Sequence, residues 1–105
     1  MSFVVVETYT YKKGQLAKLK NSLGSFLPIL ETLEAITNIE ILEDKQNTKL
    51  LGVTTWDSKE AFDAFLRSPI MTQMLESEQM KEIQEASLDL DVQMYEKVEL
   101  KDDKD

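Results

Sequence analysis

Two residue types are absent from this 105-residue chain, cysteine and histidine, and each absence limits the chemistry that the protein can perform. Without cysteine, a disulfide framework, a zinc finger, an iron–sulfur cluster and a thiol nucleophile are all excluded. Without histidine, both the commonest general base and the commonest metal ligand are missing. Any catalysis must therefore use carboxylates, lysine, tyrosine, hydroxyl or backbone groups, or a substrate that reacts largely by itself.

Basic side chains are also scarce, because 12 Lys and Arg face 20 Asp and Glu, which gives a net charge of −8. Nucleic-acid binding needs clusters of basic residues that displace counterions from phosphates. An anionic membrane surface would repel this chain, and no apolar run approaches the roughly 20 residues that span a bilayer. We therefore expect neither nucleic acid nor membrane as a partner. The N-terminus carries no basic leader, which favours the cytoplasm.

The length fits one domain, which we assign to residues 1–100. Residues 101–105 form a charged tail with nothing to bury, and we expect them to fray. A hydrophobic content of 42% favours a folded core over an acidic disordered chain.

Hydrophobic periodicity divides the first half of the chain into a strand, a helical region and a hairpin. Residues 3–11 are rich in Val, Thr and Tyr and begin apolar on both faces, which predicts a central strand. A helical period follows Gly14, and Pro28 interrupts it, so we predict a kink and a second short helix over 28–35. Two further strands are predicted over 36–44 and 50–56, joined by a short polar turn.

The second half reads as helices and a last strand. Asp57 is predicted to cap a helix, and Ser68 followed by Pro69 marks a restart whose helical spacing continues to Ile83. Apolar residues then alternate with polar ones from residue 88 to 94 and on to 100, which predicts a strand with one buried face.

The order β-α-β-β-α-β is that of the ferredoxin-like α+β fold, an antiparallel sheet with helices on one face. The second face also needs cover, because an uncovered one would expose a large apolar patch. A second copy of the chain is the simplest cover, so a homodimer is predicted. The side chains assigned to this second face are Val4, Val6, Leu50 and Tyr95.

One segment carries a family resemblance. Residues 54–62 read TTWDSKEAF and residues 65–69 read FLRSP, and Lys13-Gly14 follows the first strand. These features, with the element order over about residues 1–100, resemble the antibiotic-biosynthesis-monooxygenase domain. The resemblance implies a dimeric α/β barrel, in which two ferredoxin-like subunits pack sheet to sheet.

Within that superfamily the chain looks most like the Isd-type haem-degrading monooxygenases. Their activity depends on an Asn on the first strand, a Trp in the helix after the third strand, and a His that ligates haem iron. Glu7, Phe65 and Leu75 stand at these three positions here. Because the chain has no histidine at all, the resemblance extends to the fold and not to haem ligation. Ligation of haem by a methionine such as Met74 is conceivable, but we expect no cofactor.

The candidate site is a cavity between the sheet and the helices. Glu7 is its candidate catalytic base, since burial would raise the pKa of a carboxyl into a useful range; the alternative is a solvated or lysine-paired Glu7. The expected ligand pocket is formed by Tyr9, Phe65, Met71, Met74 and Leu75.

Three functions stay open from the sequence. The first is cofactor-independent oxygenation of a small aromatic or quinol-like substrate, the activity of cofactor-free members of the superfamily that the chain resembles. The second is a non-catalytic dimeric accessory protein that binds an apolar ligand. The third is a divergent haem-binding or haem-degrading protein.

Overall fold

Four strands and five short helices build the part of the chain that the computed structural model describes, residues 2–100. The predicted charged tail at 101–105 lies outside the described residues. The elements run in the order β1 (Phe3–Tyr11), α1 (Leu16–Gly24), α2 (Leu27–Leu30), β2 (Ile36–Asp44), β3 (Lys49–Trp56), α3 (Lys59–Leu66), α4 (Pro69–Leu75), α5 (Glu78–Ala86) and β4 (Ser87–Glu96).

The strands form one antiparallel sheet in the order β2-β3-β1-β4. The central position of β1 is as predicted, with Val6 paired to Val53 on one side and to Gln93 on the other. This order and the helices between the strands confirm the ferredoxin-like α+β fold. No helix within residues 2–100 has the length and apolar character needed to cross a membrane.

The main core lies between the sheet and the helices. Alternate residues of β1 enter it, and Tyr9 and Tyr11 are buried there together with Leu50 of β3. A second cluster of buried side chains closes one end of the sheet around Trp56, whose ring centroid lies 5.2 Å from that of Phe62. The helices therefore cover the middle strands, β1 and β3, most completely.

A serine side chain caps the N-terminus of three of the helices. Ser58, not the predicted Asp57, caps α3, because its extended backbone lets its Oγ accept a hydrogen bond from the Ala61 amide at 3.1 Å. Ser68 caps α4 with Pro69 in the first turn, as predicted. Ser77 caps α5 and divides the helical stretch expected to continue to Ile83.

Two predicted positions in the first half of the chain are corrected. The short helix expected over 28–35 ends at Leu30, where Thr32 turns back and donates its hydroxyl to the Ile29 carbonyl. Leu50, assigned to the second face of the sheet, pairs with Tyr9 and is buried under the helices. Leu51 occupies the second face instead, because it pairs with Thr8, which lies on that face of β1.

The last strand is also corrected. Its alternation predicted a buried face, yet apolar side chains along β4 are exposed, with exposed fractions of 52% for Leu90 and 53% for Met94. The reason is its position at the edge of the sheet, beyond the area that the helices cover. The strand ends at Glu96, so residues 97–100, which the alternation had included, lie beyond it.

The position of the α3 cap can be tested by stability. We expect Ser58→Ala to lower the free energy of unfolding by about 1 kcal/mol, because an amide of the first turn loses its hydrogen-bond acceptor. The matched control Asp57→Ala removes the neighbouring polar side chain and should change it by less than about 0.5 kcal/mol. Urea denaturation of both variants measures the difference, and a larger effect from Asp57→Ala would contradict the assignment.

Candidate active site

A cavity of about 130 Å³ lies between the helix-covered face of the sheet and the helices. Strands β1, β2 and β3 form its floor, and α1 to α5 each contribute apolar side chains to its walls. Two of its lining residues, Ile41 and Leu66, are exposed at 45% and 44%, so the cavity reaches the surface between β2 and α3. Its composition is that of a small-molecule pocket, mostly apolar with a few polar groups.

Glu7 stands on the floor of this cavity, in the middle of β1. The sheet register places it opposite Gly52 of β3 and Val92 of β4. The Tyr9 hydroxyl donates a hydrogen bond of 2.8 Å to its Oε1 atom. The two residues are adjacent on one face of the strand because strand side chains alternate, so residues i and i+2 lie side by side.

Burial changes the acid–base properties of this pair. Desolvation by the surrounding apolar side chains raises the pKa of the Glu7 carboxyl, and the hydrogen bond from Tyr9 opposes part of that increase. The pKa of Tyr9 is raised by its own burial, and further by the charge of Glu7 and the hydrogen bond to it. Tyr9 therefore keeps its proton and acts as the donor, while Glu7 is the group that titrates.

No lysine or arginine within residues 2–100 forms a salt bridge with Glu7. The alternative of a lysine-paired carboxylate is therefore wrong for this part of the chain. The alternative of a solvated strand end is also wrong, since Glu7 lies in the middle of β1 and is half-buried. Its carboxyl is stabilised by one neutral hydroxyl, an arrangement that leaves it free to accept a proton.

Aromatic side chains form one wall of the cavity. Trp56 at the end of β3 contacts Phe65, with ring centroids 5.2 Å apart. Its indole Nε1 donates a hydrogen bond of 2.8 Å to Oγ1 of Thr54, on the same face of the strand. The sequence indicated Trp56 only as an anchor where a strand meets a helix; in the structure it also lines the cavity.

Five of the six residues predicted from the sequence line the cavity, namely Glu7, Tyr9, Phe65, Met71 and Met74. The sixth, Leu75, is a correction, since it lies outside the lining and is 53% exposed. Met71 and Met74 are three residues apart and share the inward face of α4. Leu75 is rotated about 100° further round the helix and points outward.

Several lining residues were missed by sequence reasoning. Gly52, Ile39, Ile41 and Thr54 lie in the predicted strands over 36–44 and 50–56, but no role at the site was predicted for them. The register of β1 with β3 would have indicated Gly52, because it pairs with Glu7. Strand alternation alone could have found the Tyr9–Glu7 hydrogen bond.

A protein family can be assigned at this point. The family model for antibiotic biosynthesis monooxygenases matches residues 2–86, most of the chain. The chain therefore belongs to the antibiotic biosynthesis monooxygenase family, which confirms the resemblance seen in residues 54–69. No curated protein matches its sequence.

Solved structures share the fold at low sequence identity. Rv0793 from Mycobacterium tuberculosis is 12% identical with a TM-score of 0.76, over 94% of this chain and 97% of that one. A conserved protein from Methanosarcina mazei Go1 is 14% identical with a TM-score of 0.77, over 93% and 94% of the two chains. SnoaB, a cofactor-independent oxygenase from Streptomyces nogalater, is 10% identical with a TM-score of 0.74, over 93% and 94%. At these identities the likeness establishes the fold alone.

The raised pKa of Glu7 predicts a specific pH dependence of stability. The folded protein holds this proton more tightly than the unfolded chain does. The free energy of unfolding therefore falls as the pH rises from below 4.5, the ordinary pKa of a Glu carboxyl, to above the raised pKa of Glu7. We therefore expect Glu7→Gln to be more stable than the wild type at about pH 7, and the two to converge near pH 4.

Urea denaturation at both pH values measures this difference. Glu34→Gln is the matched control, because it removes an exposed carboxyl in the turn before β2, outside both the cavity and the second face of the sheet. A Glu7→Gln protein that is less stable than the wild type at neutral pH would contradict the assignment.

Proposed function

We propose that this protein is a cofactor-independent monooxygenase that oxidises a small aromatic, phenol- or quinol-like substrate, with Glu7 as the general base. The observation that carries the proposal is a single desolvated carboxyl on the floor of an otherwise largely apolar cavity. A base that has lost solvation gains most from accepting a proton, and its raised pKa lies closer to neutral pH.

The reaction needs only the substrate and molecular oxygen. Glu7 accepts the hydroxyl proton of the phenol, and the resulting phenolate carries electron density at the unsubstituted ring carbon para to its oxygen. That carbon donates electrons to O₂ and forms a C–O bond, which gives a hydroperoxide after protonation. Loss of water, which removes the hydrogen of the same carbon, breaks the O–O bond and leaves a second carbonyl, so a phenol and O₂ become a quinone and H₂O, and the Glu7 proton returns to solvent.

Tyr9 has a supporting role in this scheme. Its hydroxyl already donates to Glu7 Oε1, so it fixes the orientation of the carboxyl and is not free to donate elsewhere through the same proton. The second carboxylate oxygen is left to receive the substrate proton. Thr54 is also engaged, since its hydroxyl accepts from Trp56.

We propose that the reaction proceeds without haem. Met71 and Met74 place thioether groups in the cavity lining, but the chain offers no histidine to the iron. The residue at the iron-ligand position of the Isd-type family, Leu75, carries no donor atom and lies outside the lining. These features support a reaction without haem, as does the name of SnoaB, a cofactor-independent oxygenase of the same fold.

A second candidate function is non-catalytic binding of an apolar ligand. One observation favours it: within the described cavity lining, Glu7 and Tyr9 are the only titratable side chains, and they bind each other. Such a site lacks a separate general acid for the later proton transfers. In this function Glu7 would serve as a hydrogen-bond acceptor that orients a ligand hydroxyl.

We further propose that the protein acts as a cytoplasmic homodimer whose subunits pack sheet to sheet. The face of the sheet opposite the helices carries Val4, Val6, Leu51 and Tyr95, and of these Val4 is paired with Tyr95 across β1 and β4. No helix within residues 2–100 packs on that face. A second copy would bury these apolar side chains around a two-fold axis.

The assignment of Glu7 as base predicts a large loss of turnover on substitution. We expect Glu7→Gln to lower kcat by about 10²-fold or more, because the amide cannot accept the substrate proton. Oxygen uptake on a panel of phenols and quinols measures the loss, and Glu34→Gln is the control that keeps full activity. The non-catalytic function would be favoured if the wild type bound a ligand without oxygen uptake and Glu7→Gln bound it with the same affinity.

If the protein is a homodimer, placing a charge on the second face of the sheet should halve the mass at which it sediments. We expect the wild type to sediment at twice the monomer mass and Val6→Lys to sediment as a monomer, because a buried lysine would face the partner sheet without a counter-ion. Ile29→Lys changes an exposed apolar residue of α2 on the opposite side and should stay dimeric. A monomeric wild type would rule out this assembly.

A further inference from the structure

One hydroxyl of the cavity lining has no acceptor for its hydrogen. Thr54 lies on β3 between Gly52 and Trp56, on the face below the helices, and it lines the cavity. Its Oγ1 atom accepts a hydrogen bond of 2.8 Å from the indole Nε1 of Trp56. A threonine hydroxyl also carries one donor hydrogen, and within residues 2–100 no side chain or carbonyl accepts the hydrogen of Thr54.

The position of Thr54 in a strand explains why this hydrogen is free. Hydroxyls at helix ends, such as those of Ser68 and Ser77, donate to the carbonyl three residues back. A strand offers no such acceptor, because its carbonyls point along the sheet toward the neighbouring strands while its side chains point away from the sheet. Thr54 is half-buried and faces the cavity, so its hydrogen is available to a ligand there.

The hydrogen bond from Trp56 makes this hydroxyl a better donor. Trp56 is only 3% exposed, so its indole N–H needs an acceptor inside the protein, and Thr54 supplies it. Linked hydrogen bonds polarise one another, so an oxygen that accepts one bond donates its own hydrogen more strongly. The same bond holds Oγ1 in place, because rotation of the Thr54 side chain would break it. The donor is therefore oriented before a ligand arrives.

Thr54 and Glu7 lie diagonally across the pair of strands β1 and β3. Glu7 is opposite Gly52, and Thr54 follows two residues later on the same face. Residues in this relation lie about 7–8 Å apart. The cavity floor therefore presents a proton acceptor and a hydrogen-bond donor at two separate points, and a ring with oxygen atoms at opposite ends can contact both.

We propose that Thr54 is the second polar contact of the substrate: its hydroxyl donates a hydrogen bond to the oxygen that lies across the ring from the phenolic oxygen at Glu7. The inference rests on the proposed function and assigns the end of the substrate where O₂ adds. The hydrogen bond forms to the peroxide group on the para carbon and then to the carbonyl oxygen that remains there. Thr54 transfers no proton, so the balance of the reaction is unchanged.

Two para-substituted phenols test this contact without turnover. 4-Hydroxyacetophenone and 4-ethylphenol differ only in the carbonyl oxygen across the ring from the hydroxyl, and neither has the unsubstituted para carbon that the reaction requires. Isothermal titration calorimetry at about pH 6, where both phenols keep their proton, measures the affinities. The comparison uses Trp56→Phe as its background, because Thr54→Val alone would leave the buried indole N–H without its acceptor.

We expect the double variant Trp56→Phe/Thr54→Val to bind 4-hydroxyacetophenone about three- to tenfold more weakly than Trp56→Phe does, because one neutral hydrogen bond is lost. Its affinity for 4-ethylphenol should stay within about twofold. Thr54→Ser keeps the hydroxyl and should keep the wild-type ratio of the two affinities. Equal losses for both phenols, no loss for either, or a wild type that does not bind 4-hydroxyacetophenone would each overturn the proposal.

The two proposals fail in different ways. If Glu7 is not the base, Glu7→Gln keeps its oxygen uptake while the ratio of the two affinities still depends on the Thr54 hydroxyl. If Thr54 is not the contact, Glu7→Gln loses oxygen uptake while the ratio is the same with and without that hydroxyl. Should Trp56→Phe not fold, Thr54→Val and Thr54→Ser decide by the same ratio, because a general distortion of the cavity weakens the binding of both phenols alike.

Discussion

The strict alternation of side chains along β1 is the constraint on which the rest of the site depends. A strand that carries Val5 and Tyr9 into the core must carry Glu7 there as well, because all three share one face. The folded chain therefore contains a half-buried carboxyl that loses part of its solvation as the core forms. A shift of one residue would move Glu7 to the opposite face of the sheet but would bring Val4 and Val6 under the helices in place of the larger aromatic residues.

The structure lowers the cost of this burial only in part. Tyr9, two residues along the strand, supplies one hydrogen bond, and no cation within residues 2–100 pairs with the carboxyl. A charged partner would have stabilised the fold more, and would also have held the carboxylate in its charged form and lowered its basicity. The site thus keeps a destabilised group where a proton acceptor is useful, a common relation between stability and function.

Local sequence signals were sufficient for most of the fold. The β-rich composition of residues 3–11 and the Ser68-Pro69 pair each agree with the structure to the residue. Failures arose where two neighbouring residues compete for one position. Asp57 and Ser58 are both good caps, and only the backbone angle at residue 58 decides between them. Leu50 and Leu51 are equally apolar, and only the register between β1 and β3 decides which one is buried.

The candidate site was predictable in its residues and less so in its shape. A resemblance in sequence identified the wall residues Phe65, Met71 and Met74, but the same alignment carried Leu75 into the cavity although helix geometry turns it outward. A single sequence does not indicate that Gly52 lies beside Glu7, since a glycine in a strand has several explanations. Pairing across three strands was required to place that glycine beside the carboxyl.

The division of the second helical region by serine caps has a consequence for how a ligand enters. Helices α3, α4 and α5 contain eight, seven and nine residues, too few for any of them to be stable alone. Each depends on its packing against the sheet, and α3 and α4 border a cavity instead of a filled core. These segments can open locally while the hydrogen-bonded ladder of β1 and β3 stays intact. The sheet that carries Glu7 thus stays ordered, whereas the helices above it, α3, α4 and α5, are short separate segments that can move individually.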